Sequence, residues 1–276
     1  MANDAKDSHN VTKKDKHLAA ASMLAFKLAQ EQKLKKTLKP HFKQVGAQVK
    51  KAYSNTGKLP SFNKHREAVK GIINDHYIDT ATQTSTNLRD GFKPVKNDYK
   101  LDAIIADDIE NDADERSDFA ADSIADTTSN NFSDYIKEAI VGAALTGIVL
   151  SHSDIAENIS NKFEETSEGR LDLISAMETG IAADDGKSSE IDALQDTDAE
   201  FEDGTTIADY KMTKTWIAIL DEHTRPAHAD ADGQEVNYDE PFVVDGEELM
   251  EPRDDDLGAS DENIMNCRCE SVESLE

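Results

Sequence analysis

Apolar residues recur at helical spacing through most of this chain and almost nowhere form a continuous block. Leu18, Ala21, Leu24 and Leu28 are spaced for one helix face, with lysines filling the positions around them. Ile155, Ile159 and Phe163 repeat at i, i+4, i+8, and Ile174, Met177 and Ile181 at i, i+3, i+7. Stripes this narrow are buried when long helices pack on one another, and they argue against one large core. Aromatic residues at 6% and charged residues at 32% point the same way.

The helix boundaries follow from breakers and caps. Residues 1–16 are polar and expected to be loose. A first helix is predicted from Lys16 toward Ala52, with Pro40 as a break or kink. Asn55-Thr56-Gly57 and Leu59-Pro60 read as a turn, followed by a second helix from Phe62 to Arg89. The acidic run 101–130 reads as a solvated helix, and Ser129-Asn130-Asn131 as a break before another helix from Phe132 to Leu145. Gly147 ends that helix, and Ser151-His152-Ser153 offers caps for the next. Glu168-Gly169 separates two further helical segments, and Gly186 to Gly204 reads as a linker or mobile loop.

After that loop the texture changes. Thr215 to Leu220 reads as a strand, Phe242 to Met250 as a hairpin turning at Asp245-Gly246, and Cys267 to Val272 as a last short strand. The predicted fold class is α+β: mainly helical N-terminal and middle regions, then a small C-terminal α+β unit with short strands and a hairpin. Three regions are expected: a basic, mainly helical part at 1–100, an acidic helical connector at 101–134, and a domain at 135–276 with a helical half (135–190) and a strand and loop half (211–276).

Charge divides along the same line. Residues 1–100 carry 20 Lys and Arg against 9 Asp and Glu, whereas residues 101–276 carry 10 against 48. The basic part is suited to nucleic acid or an acidic protein surface, and the acidic part should repel DNA; the plainer reading is that both are solvated helix faces. Met1 to Lys16 shows no signal-peptide pattern, and the longest uncharged apolar stretch, Ala139 to Leu150, falls short of the roughly 20 residues that span a bilayer. The chain therefore reads as soluble, without a membrane partner, and made in a reducing cytoplasm.

The specific motif lies at the C-terminus. Trp216 and Asp221 are followed by Arg225-Pro226-Ala227-His228, the Asp232-Gly233 turn, Phe242, Pro252 and finally Asn266-Cys267-Arg268-Cys269. This order resembles the phage Mu F-like minor head proteins of the head-morphogenesis family. The resemblance reaches upstream to about residue 135, through Gly147 to Ser151, Ile159, Phe163, Arg170 and Glu178-Thr179. That family usually carries a Thr-Glu pair in its helical half; Met177 stands in place of the Thr, and Glu178 keeps the second position. The resemblance implies a bacteriophage minor head protein acting in capsid assembly. Its implied partners are the portal protein and major capsid or scaffold proteins, with DNA reached through the basic N-terminal region. Its implied location is the virion, with the host cytoplasm during assembly, and no enzymatic activity. Glu178, Trp216, Asp221, Arg225, Asp232, Gly233, Asn266 and Arg268 are its structural motif positions here.

The same residues have a chemistry of their own. Cys267 and Cys269 are the only cysteines, so no disulfide framework can be drawn. With His228 they offer three ligands of the kind zinc takes. Related sequences carry Cys-x-x-Cys where this chain has Arg225-x-x-His228, so a fourth ligand is missing or is a carboxylate such as Asp221. Two other readings stay open: buried packing groups that tie the terminal strand to the loop, and a tight C-x-C disulfide. Arg225 is expected to pair with Asp221 and Asp232 and fix the loop, and Trp216 to be core. The remaining histidines show no ligand spacing, and His223 is expected to face solvent. No G-x-S-x-G, Walker A, H-E-x-x-H or Rossmann glycine pattern is present. The enzymatic alternative is a metal- or cysteine-dependent hydrolase of the virion, with one cysteine as nucleophile and His228 as base.

Overall fold

The computed structural model describes residues 13–92, 99–197, 204–220, 222, 224–254, 256–265 and 267–275. Four long helices come first: α1 (Lys13–Thr56), α2 (Asn63–Phe92), α3 (Tyr99–Leu145) and α4 (His152–Asp196). A 3-10 turn at Ile207–Asp209 leads into β1 (Met212–Ile217), α5 (Pro226–Asp230), β2 (Glu235–Asn237), β3 (Phe242–Val244), β4 (Glu247–Leu249), α6 (Asp261–Ile264) and β5 (Glu270–Leu275). The predicted α+β class, with the strands confined to the C-terminal part, is what is found. Two compact units share the four helices. The first comprises Met1–Gln30, Asp79–Glu110 and Thr179–Glu276, and the second Glu31–Ile78 and Asn111–Glu178.

The helices are longer than the breaker residues predict. Pro40 lies inside α1, which continues through it. Proline removes one backbone donation there, but Leu34, Leu38, Phe42, Val45, Val49 and Tyr53 form a buried stripe that runs past it on both sides. Likewise Ser129-Asn130-Asn131 does not interrupt α3. Thr128 and Phe132 on either side are fully buried, and Arg170 donates to the Thr128 hydroxyl (2.8 Å) and to the Ile124 carbonyl (2.7 Å). Gly169 is an ordinary helical residue of α4. The loop predicted from Gly186 is also helical, as far as Asp196; residues 198–203 lie outside the described residues. By contrast, Gly147 does end α3, with φ of 71°, and at the start of α4 the Asp154 N–H donates to the Ser151 hydroxyl while the Asp154 carboxylate accepts from the Ser151 N–H.

In the second unit the apolar stripes meet as predicted. Phe42, Phe163, Phe132 and Phe62 form a continuous stack, the Phe132 and Phe163 centroids lying 4.5 Å apart. Gly46 lies close against this stack, where a Cβ would sit 3.1 Å from the Phe163 ring. His41 and His65 meet through ring nitrogens at 2.7 Å, a pairing that their spacing in the sequence does not announce.

The same unit explains much of the charge division. Lys35 pairs with Glu168 and Asp172, Lys39 with Glu168, Lys50 with Glu157, Arg66 with Asp118 and Asp122, and Lys70 with Asp114 and Asp118. Basic residues of α1 and α2 are thus matched to acidic residues of α3 and α4. Most of these pairs are exposed, so they define register more than they stabilise.

The first unit carries the strands. β1 is the centre of an antiparallel sheet ordered β2-β1-β5, with Thr213 opposite both Asn237 and Ser274. β3 and β4 form the predicted hairpin, Phe242 opposite Leu249. Asp245 (φ 53°) and Gly246 (φ 79°) both take positive φ, the requirement of the two-residue turn that suits strand twist. Trp216, Phe242, Val244, Leu249, Ile264, Cys267 and Cys269 make the core of this part.

Beneath that core lies a buried ionic network. Lys27 of α1 donates to Asp184 of α4 (2.9 Å) and Glu270 of β5 (2.8 Å), and Lys187 reaches Glu273 (3.2 Å). Arg253 closes the network onto Asp184 at 2.6 Å. Buried charges persist only when paired in this way.

Candidate functional site

The motif residues assemble around the end of β1. The Trp216 N–H donates to the Gln234 carbonyl and the Gly233 N–H to the Trp216 carbonyl, both at 2.8 Å. Gly233, with φ of 84°, makes the reversal between α5 and β2 that this clasp requires. Asp232 accepts from the Ala218 N–H at 3.0 Å and lies 3.4 Å from His17. Trp216 is fully buried, as expected of a core residue, with its ring edge-on to His228 and Phe242.

Arg225 stands at the N-cap of α5, with Pro226 at the first helical position. Its guanidinium donates to the Met265 carbonyl. It therefore ties the loop after β1 to the segment before the cysteines by a backbone contact. Asp221, His223 and Asn266 lie outside the described residues. Glu178 belongs to the second unit, where Arg116 donates to both of its carboxylate oxygens at 2.9 and 3.0 Å. Burial pushes the Glu178 carboxyl up, and Arg116 opposes that shift.

His228, Cys267 and Cys269 converge, all three buried. The helix α5 presents the imidazole with Nδ1 toward the sulfurs, at 3.4 Å from Cys267 Sγ and 3.5 Å from Cys269 Sγ. The C-x-C spacing puts both thiols on one face of an extended segment leading into β5 and sends Arg268 the other way. No disulfide joins the cysteines. The Cys267 thiol is held well below its ordinary range by the Cys269 thiol donating to it, with His228 and Arg253 adding to the effect. The Cys269 thiol is pushed up by that thiolate neighbour and by burial. A cavity of about 10 Å³ adjoins the three, lined also by Ile219, Thr224, Arg225 and Arg268.

Nothing in the sequence singles out Arg253. It is buried with φ of 80°, and its Nη1 donates to the carbonyls of Cys267 (3.1 Å) and Cys269 (2.8 Å). The only trace in the sequence is Gly180 inside α4, where a Cβ would lie 2.6 Å from the Arg253 side chain.

Residues 134–272 match the family model described as Phage Mu protein F like protein, across half of the chain. The chain belongs to this family. The match takes in the end of α3 and all of α4 as well as the strands, so the matched residues belong to both compact units. The chain is also 38% identical over 65 residues to an NAD(+)–arginine ADP-ribosyltransferase, EFV, of Enterococcus faecalis. That similarity covers 24% of this chain and 13% of the enterococcal protein. No solved structure matches the chain. Membership of the Mu F-like family supports a bacteriophage protein of head morphogenesis. Among the described residues no helix is long and apolar enough to cross a membrane.

Proposed function

We propose that this protein is a minor head protein of a tailed bacteriophage, built into the head during assembly in the host cytoplasm and retained in the virion. The observation that carries the reading is the Mu F-like match over 134–272, which includes the Trp216–Gly233 clasp and the C-x-C segment. Its partners are the portal protein and the major capsid or scaffold proteins. The work is mechanical rather than catalytic. Cys267 and His228 are buried, and the adjoining space holds roughly one water, which leaves no room for a substrate beside the sulfur. The transferase named above shares too little of its length with this chain to lend it that activity.

DNA contact through the basic region is the weaker part of this proposal. Lys35, Lys39, Arg66 and Lys70 are already matched to acids of α3 and α4. The chain as a whole carries −27. The test of the reading is genetic: a phage lacking this gene is complemented with full-length protein or with protein ending before residue 211. Full-length protein should restore infectious particles and the truncated form should not, while still accumulating as a helical fragment. Equal rescue by both would contradict it.

A further inference from the structure

We propose that His228, Cys267 and Cys269 bind one zinc ion through three protein ligands, with a water in the fourth position. The argument is geometric first. A tetrahedral zinc with metal–sulfur bonds of about 2.3 Å and a metal–nitrogen bond of about 2.0–2.1 Å holds its nitrogen roughly 3.5 Å from each sulfur. Nδ1 of His228 stands 3.4 Å from one sulfur and 3.5 Å from the other, and all three donor atoms lie within 4.8 Å of one another.

Hydrogen bonds can link the three groups in pairs, the Cys269 thiol to the Cys267 sulfur and Nδ1 to one sulfur, and the same three converging atoms are also the set a single metal ion takes. The donor set, two soft sulfurs and an imidazole, selects zinc over magnesium or calcium, which take oxygen ligands. Zinc takes both cysteines as thiolates, any thiol proton still present leaves to solvent, and the two negative sulfurs neutralise the doubly charged ion.

The surroundings hold the ligands in place before any metal arrives. Arg253 fixes both cysteine carbonyls, Pro226 fixes the start of α5, and Trp216 packs edge-on to the imidazole. The fourth position opens on the cavity of about 10 Å³, which takes a single water. Such an ion would join α5 to the entry of β5 in a part of the chain whose core is small, where a metal staple contributes most. The inference stands independently of any role in the head.

The test uses the full-length chain, purified without a histidine tag from cells grown with zinc. Elemental analysis should find about one zinc per chain. Protein stripped of metal and titrated with cobalt(II) should develop a thiolate-to-cobalt charge-transfer band, and this band should vanish in the Cys267→Ser, Cys269→Ser double variant. Should that variant fail to fold, the wild-type cobalt spectrum still decides. Intact mass without reductant tests the rival state, since a disulfide removes two hydrogens. A folded protein that takes up neither zinc nor cobalt overturns the proposal. So does a band that persists without the cysteines, or a protein that carries a disulfide.

Discussion

Arg253 Nη2 donates to Asp184 Oδ2 across 2.6 Å, and both groups are buried. The same guanidinium holds the Cys267 and Cys269 carbonyls, so one side chain links helix α4 to the C-x-C segment. Burial alone would push the Asp184 carboxyl up, and Arg253, Lys27 and Lys187 together outweigh it and hold it well below the usual carboxylate range. Removing one partner leaves an uncompensated charge in a place water does not reach. Arg253→Ala should therefore cost about 3–5 kcal/mol. Lys137→Ala, which breaks the exposed pair with Asp134, should change stability by less than about 0.5 kcal/mol. Trp216 is the single tryptophan, and its fluorescence during urea unfolding reads the first comparison; helical ellipticity reads the second.

Two glycines of α4 should respond in opposite senses. At Gly186 a Cβ would lie 2.7 Å from the Ala81 Cα, in the backbone of α2, and neither helix can give way cheaply. Gly186→Ala should destabilise by about 1–3 kcal/mol or more. Gly169 has open space around its Cβ position, and Gly169→Ala should stabilise by about 0.5–1 kcal/mol through helix propensity. Thermal melts followed by circular dichroism check both.

Acidity should act on the two units with opposite sign. Burial, aided by Glu273 and Asp184 and opposed by Lys187, raises the Glu251 carboxyl to about 7 from 4.5. A raised folded-state value means the native state keeps a proton that the unfolded chain releases. Its contribution is full below about 4.5 and is lost as pH rises through about 7. Glu251→Gln should remove this loss, which amounts to roughly 2–3 kcal/mol. In the second unit, burial, with His41 and Arg170 adding to it, lowers His65 to about 4 from 6.5. The unfolded chain then binds the extra proton, so stability is full above about 6.5 and is lost as pH falls toward 4. Wild type should lose roughly 2 kcal/mol more than His65→Gln between pH 7 and pH 5. Urea titrations at the two pH values decide each comparison. A variant that tracks wild type at both would show that its side chain does not carry the effect.

The hairpin and α4 were legible because their signals are local: Asp245-Gly246 between short apolar runs for β3 and β4, and Ile155, Ile159 and Phe163, all buried, for α4. In α1 the spacing of Leu18, Ala21, Leu24 and Leu28 named a helix but not its buried face, since Leu18 and Leu28 are exposed and Ala20, Lys27 and Leu34 are buried. Pro40, Ser129 to Asn131 and Gly186 misled for one reason. Each is a local breaker overridden by burial on both sides, and burial depends on partners distant in sequence. Charge misled in a related way. The basic first hundred residues look like a surface for a partner, yet several of their cations meet acids from α3 and α4 of the same chain. Within the candidate site, Trp216, Asp232, Gly233, His228 and the cysteines were visible as a motif. Arg253 was not, because an arginine in an acidic loop carries no signal until Asp184, sixty-nine residues away, is seen beside it.

Internal ion pairing makes a prediction about nucleic acid. Full-length protein should bind duplex DNA weakly or not at all near physiological salt, since several of its lysines and arginines are matched to acids and its net charge is −27. Binding isotherms from low to high salt check this. Tight binding with a steep salt slope would mean that phosphates displace the carboxylates now paired with α1 and α2.

The head-protein account is tested most directly by quantitative mass spectrometry of heads purified from the phage that encodes this chain. The account predicts that the protein is present in every preparation at a low, fixed ratio to the major capsid protein, stays with the portal through gradient purification, and disappears from heads when residues 211–276 are deleted. Heads that are infectious and contain none of it, or contain the truncated protein at the full ratio, would contradict the account.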